Sequence, residues 1–210
     1  YEVSNNAGQD ICDIVNNEGF DFLLVGSGIS MSDSPDDIAA TRYRTSFYNR
    51  YFKRFKAPES WFYPGALLKD KTKMFIARSN CDVGVFINRN FVKATNTLVV
   101  ISSEEDLFLL DYTRTLLKAT HGSVGIVAKM STTTPGHDQI LKELWDFVSS
   151  IPQTQLLPDK DLTPGLFNSY NFMLIGYNTW NDVSEHRKEA LQKMPSTLIL
   201  NKNKRSSSDN

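Results

Sequence analysis

An α/β fold built on a mostly parallel sheet, with helices on both faces, is what this sequence predicts, and three observations predict it. Short apolar runs alternate with amphipathic stretches from Gly8 to Leu200. Each run is almost wholly apolar instead of alternating with polar residues, the pattern of strands covered on both faces. The third observation is the stretch Asn80-Cys81-Asp82-Val83-Gly84-Val85-Phe86-Ile87-Asn88-Arg89-Asn90-Phe91. Its charge-free core, Val83 to Ile87, reads as a buried strand, central in the sheet. Its polar exit, Asn88-Arg89-Asn90, falls where open α/β sheets bind ligands.

Taken in order, residues 8–18 place Ile11, Cys12, Ile14 and Val15 at helical spacing, with Gly19 as a stop. Phe20 to Val25 is a strand that ends in Gly26-Ser27-Gly28. Those glycines could bring backbone N–H groups to a phosphate, and a plain strand-ending turn is the simpler reading. Residues 66–78 form a basic amphipathic helix with Leu67, Leu68, Met74, Phe75 and Ile76 inward. A strand over 97–101 leads to Ser102-Ser103-Glu104-Glu105-Asp106, a helix cap with acids in the first turn, as the helix dipole prefers. The helix that follows, 106–120, buries Leu109, Leu110, Thr113, Leu116 and Leu117, and His121-Gly122 ends it. Strand 123–130 and helix 138–149 come next, the helix with Ile140, Leu141, Leu144, Trp145 and Val148 on one face. Residues 152–169, holding three prolines, read as an extended connection. Strand 171–176, helix 182–194 and strand 197–200 complete the pattern, and 201–210 is a charged, serine-rich tail of disordered composition.

The most unusual segment is Arg42 to Lys56, with six basic residues and no acidic one, which leaves the rest of the chain at −7 against a total of −1. Tyr43, Phe47, Tyr51 and Phe55 recur every four residues, with Tyr48 and Phe52 widening the stripe. The aromatic face could pack on its own domain while the basic residues stay solvated. It could also dock Arg42, Arg50, Lys53, Arg54 and Lys56 on an anionic membrane or a membrane-domain partner. Nucleic acid is not an expected partner.

Composition excludes several classes. Cys12 and Cys81 give neither metal spacing nor a disulfide framework and read as reduced, buried thiols of a cytosolic protein. No apolar run reaches the ~20 residues of a membrane span, and residues 1–6 lack a signal-peptide pattern. Tyr1 is not methionine, so the sequence is expected to begin within a longer protein. His121, His137 and His186 are scattered, and no G-x-S-x-G, Walker loop or catalytic cysteine setting occurs. The expectation is therefore a non-enzymatic chain without a metal.

Particular residues carry a resemblance. The Asn80–Arg89 stretch resembles the P-C-S-V-G-I-L-V-D-R-G stretch in the cytosolic C-terminal region of the cation:proton antiporter-2 family, which includes plant cation/proton exchangers and fungal potassium/proton antiporters. Asp10-Ile11-Cys12 with Phe22-Leu23-Leu24-Val25 resembles that family's E-D-I-C helix and next strand, and helix 104–120 resembles its G-P-D-D-R-E-A-L helix. The resemblance implies two universal-stress-protein-like (Rossmann-like) units behind a membrane antiporter domain. Residues 1–78 would end the first unit and carry the basic-aromatic segment as an insertion over about 29–64, and 79–200 would be the second. It implies a regulatory domain of a monovalent cation (potassium)/proton antiporter at the cytosolic face of an endomembrane or plasma membrane. Its partners would be the transmembrane domain of the same polypeptide and a second copy in a homodimer, with an anionic membrane surface as a further candidate.

The alternative is a nucleotide-binding stress-type module using Gly26, Ser27, Gly28, Asn88, Arg89 and Ser102. Two departures from that pattern count against it. Asn88 stands where universal stress proteins carry an aspartate, and their G-x-x-G nucleotide loop is absent, so no cofactor is expected.

Overall fold

The computed structural model describes residues 7–26, 70–130, 135–158, 162–186 and 193–203. The basic-aromatic segment with Arg42, Arg50, Lys53, Arg54 and Lys56 lies outside the described residues, as do Ser27, Gly28 and the tail from 204.

Helix α1 (Ala7–Glu18) leads to strand β1 (Phe22–Gly26), and α2 (Asp70–Arg78) to β2 (Asp82–Ile87). Strand β3 (Asn96–Ile101) is followed by a one-turn 3-10 helix (Glu104–Asp106) and α3 (Leu109–Thr120). Then come β4 (Ser123–Ala128), α4 (His137–Ser150), β5 (Thr154–Pro158), the short α5 (Pro164–Phe167), β6 (Phe172–Gly176), α6 (Tyr177–His186) and β7 (Ser196–Asn201). These strands form one seven-stranded sheet in the order β1-β2-β7-β6-β3-β4-β5. Every neighbouring pair is parallel except β2 with β7.

Two apolar layers cover the sheet, and strand alternation assigns them. Leu98 and Val100 of β3 join Met173, Ile175, Phe167, Trp180 and Val183 on the face under α5 and α6. Val99 and Ile101 join Leu109, Leu144, Phe147 and Leu174 on the face under α3 and α4. Both faces of β3 and β6 are therefore buried, which is why their sequences are continuously apolar. Helix α3 ends at His121, whose left-handed conformation (φ 52°) lets its N–H reach Leu117 O.

Four expectations are corrected. The Asn80–Phe91 strand is β2, second from the β1 edge and not central; its apolar run reflects strands on both sides and helices above, not a middle position. It lies across the antiparallel β2–β7 seam from the five parallel strands β3 to β7. The supposed connection 152–169 contains β5 and α5. Strand β5 stands at an edge of the sheet, where Pro158 removes no needed donor. Helix α6 starts at Tyr177, immediately after β6, five residues before the expected start at Asp182. On α4, Ile140, Leu141, Leu144 and Val148 face inward as expected, but Trp145 is 53% exposed and Phe147 is buried instead.

The registers reveal a local two-fold. Phe22-Leu23-Leu24-Val25-Gly26 and Phe172-Met173-Leu174-Ile175-Gly176 are matching strands, and each pairs in parallel with the strand after it: Val25 opposite Val85, Ile175 opposite Ile199. Val85 and Ile199 then face each other in the antiparallel β2–β7 ladder. The pairs β1–β2 and β6–β7 are thus equivalent, related by an axis through that residue pair.

Candidate functional site

In an open α/β sheet, the ligand crevice lies beyond the carboxyl ends of two neighbouring strands whose connections leave in opposite directions. Here those strands are β3, which leads to β4 on one side, and β6, on its other side. Their ends are Ile101 and Gly176, so Ser102, Ser103 and the start of α6 border the crevice.

The crevice is filled by Asp106, which is 2% exposed. Its Oδ2 accepts hydrogen bonds from Ser102 N (2.8 Å), Ser102 Oγ (3.1 Å), Ser103 N (3.3 Å) and Thr179 Oγ1 (2.6 Å). The hydroxyls of Ser102 and Thr179 also meet each other. A Cβ at Gly176 would collide with Asp106 Oδ1, so glycine at the end of β6 is what admits the carboxyl group. At the rim, Asn178 donates to Glu105 (2.8 Å) and Lys129 at the end of β4 bridges to Asp182 on α6 (3.0 Å). The converging donors are already engaged by a buried side chain, and Glu105 stands at the rim through its bond from Asn178.

The sequence-predicted ligand residues do not come together here. Ser102 does border the crevice. Gly26, Asn88 and Arg89 lie at the carboxyl ends of β1 and β2, and β2 runs opposite to β7, so they occupy the opposite edge of the sheet. Asn88 Oδ1 caps its own turn by accepting from Phe91 N (2.9 Å), and Arg89 N donates to Ser196 Oγ (2.8 Å). Burial holds the Arg89 guanidinium below its usual pKa.

A second polar cluster pins the seam. Tyr112 of α3 donates to Asp82 Oδ2 (2.8 Å), Asn203 N donates to Asp82 Oδ1 (2.8 Å), and the Asn203 side chain donates to Ser79 O (2.9 Å). Burial, then the hydrogen bond and charge of Asp82, push the Tyr112 hydroxyl well above its ordinary pKa. Burial first, and Asp82 second, also raise the neighbouring Cys81 thiol. Between the start of α3 and the end of α4 lies an open groove of about 740 Å³, lined by Glu104, Glu105, Asp111, Glu143 and Asp146 against Arg114 and Lys202. Among the described residues, no three His, Cys, Asp or Glu side chains gather as metal ligands, and no helix is long and apolar enough to cross a membrane.

Sequence reasoning gave Asp106 a helix-capping role and missed its place in the crevice. The local signal was the acidic turn after a strand, but Thr179 lies 73 residues away, beyond any local pattern.

No protein-family model matches the chain, and no curated protein does. Among solved structures it is similar to a universal stress protein from Archaeoglobus fulgidus DSM 4304, at 11% identity and a TM-score of 0.52 over 94% of this chain. It is also similar to a putative universal stress protein from Pseudomonas aeruginosa UCBPP-PA14, at 10% identity and a TM-score of 0.46 over 92% of this chain. The chain spans 66% of the first of those proteins and 67% of the second. The likeness is one of fold: this chain has a universal-stress-protein-like α/β fold, with a mostly parallel sheet and helices on both faces.

Proposed function

We propose that this chain is a non-catalytic regulatory module of a monovalent cation (potassium)/proton antiporter, acting at the cytosolic face of a membrane through contacts with the transmembrane domain of the same polypeptide or within a dimer. The sequence motifs around Asn80–Arg89 and Asp10–Cys12 support the transport assignment. The observation that carries the regulatory part is the seam. Two equivalent strand pairs meet edge to edge at Val85 and Ile199, and the Tyr112–Asp82–Asn203 cluster ties α3 to that junction. The β2–β7 seam, where that polar cluster joins the two strand pairs, is a place where a small shift can change the placement of the pairs. Regulation then requires that the two arrangements differ in contacts with the membrane domain.

The test places Asp82→Asn and Tyr112→Phe in the polypeptide that carries this chain, reconstituted in vesicles. The expected result is potassium-dependent proton exchange whose pH or cation response shifts in both variants at unchanged protein level. A polypeptide that moves no protons in exchange for any monovalent cation refutes the reading. The alternative, a nucleotide-binding module, would be favoured by nucleotide that co-purifies with the chain; the filled β3–β6 crevice weighs against it.

A further inference from the structure

We infer that the β3–β6 crevice is an anion cradle occupied by the chain's own Asp106, which keeps phosphates and nucleotides out of it. Helix capping is the simpler account of Asp106, and it explains only part of the geometry. A capping box links Asp106 with Ser103, three residues earlier, and so accounts for the Ser103 N bond. It does not account for Ser102 N, Ser102 Oγ and Thr179 Oγ1, which converge on the same Oδ2 from two segments 77 residues apart.

Successive backbone N–H groups joined by hydroxyls around one oxygen are the donor set that a phosphate oxygen takes. The position is also where such folds bind ligands. Glycine at 176 leaves room for the second carboxyl oxygen, where a bulkier residue would expel the side chain. With Oδ2 seated, a phosphate would have to displace a hydrogen-bonded buried side chain and enter beside Glu105. Like-charge proximity and lost hydrogen bonds both oppose that exchange. Asp106 thus acts as an internal stand-in for the anion, and the cradle survives as part of the fold.

The experiment titrates the 210-residue chain with inorganic phosphate and with ATP, following backbone amide signals and thermal stability against sodium chloride at equal ionic strength. Wild type should show no stabilisation and no saturable shift at Ser102, Ser103 or Thr179 with ligand up to about 10 mM. Asp106→Ala, which empties the cradle, should gain saturable shifts at those three residues and a phosphate-dependent rise in Tm. Asp106→Asn keeps an acceptor oxygen in place and should stay closed. Saturable binding at those residues in wild type overturns the inference whatever the variants do, and a folded Asp106→Ala that ignores phosphate overturns it equally. Should Asp106→Ala not fold, Asp106→Gly takes its place, with the same two outcomes. The result is separable from the transport reading, since cation exchange can be present or absent with either.

Discussion

Val85 and Ile199 face each other at the centre of the antiparallel β2–β7 ladder, and each is also the partner of the same position in a matching strand, Val25 for one and Ile175 for the other. The local two-fold through this pair makes Leu24 of β1 the counterpart of Leu174 of β6. Their surroundings differ: Leu174 is 2% exposed, beneath the α3–α4 layer, while Leu24 is 59% exposed on the sheet's outer strand.

That contrast yields a prediction. Leu174→Ala should cost about 2–5 kcal/mol of stability, since it removes buried methyl groups and leaves a cavity. Leu24→Ala should change stability by no more than about 0.5 kcal/mol. Urea unfolding of the two variants checks this, and equal losses would show that Leu24 is covered as Leu174 is.

Tyr112 should make stability depend on high pH. Its hydroxyl is raised above the ordinary value of 10.0 by burial and by Asp82. The folded chain therefore holds the proton where the unfolded chain would release it. The contribution is complete below pH 10.0 and is lost as pH climbs from there toward the folded value. Tyr112→Phe removes a hydrogen bond to a carboxylate and should destabilise by about 1.5–3 kcal/mol at neutral pH. It should also flatten the fall in stability above pH 10.0. Chemical denaturation at several alkaline pH values, wild type against variant, measures both effects. Parallel curves would mean that the tyrosine does not titrate through folding.

Most of the architecture was legible in the sequence because strands buried on both faces announce themselves as unbroken apolar runs, and five or more residues of Val, Ile, Leu and Phe need no partner to be read. Strand β5 escaped because Gln155, Leu156 and Leu157 sit between prolines, and only an edge position tolerates Pro158. The position of β2 escaped for a different reason: local pattern specifies burial but not sheet order. The repeat of Phe22–Gly26 in Phe172–Gly176 was present as letters, yet it acquires meaning only through the pairing registers. The site was the least legible part, since the donors around Asp106 come from residues that meet only after the sheet has formed.

The two thiols should be silent. Cys12 is 1% exposed and Cys81 4% exposed, and both are free. Burial and the nearby Asp82 raise the Cys81 pKa above 9.0, so little thiolate is present at neutral pH to react. Ellman's reagent at pH 8 should label neither in the native chain within minutes and both after unfolding in guanidinium. Rapid labelling of one thiol in the native chain would place α1 or the start of β2 in an open conformation.

Helix α4 offers the last test, because sequence pattern and structure disagree about which aromatic side chain it buries. Trp145 is 53% exposed, whereas Phe147 is 3% exposed, packs in the α3–α4 layer, and has the Arg114 guanidinium 5.0 Å from its ring centroid. Phe147→Ala should cost about 3–5 kcal/mol, and Arg114→Ala a further but smaller amount of about 0.5–1 kcal/mol at this exposed site. Trp145→Gln should leave stability within about 0.5 kcal/mol of wild type. It should also remove an iodide-quenchable component of the tryptophan fluorescence, while Trp180, fully buried, stays protected from iodide. A large loss from Trp145→Gln with a small one from Phe147→Ala would mean that α4 is rotated about its axis from the orientation described.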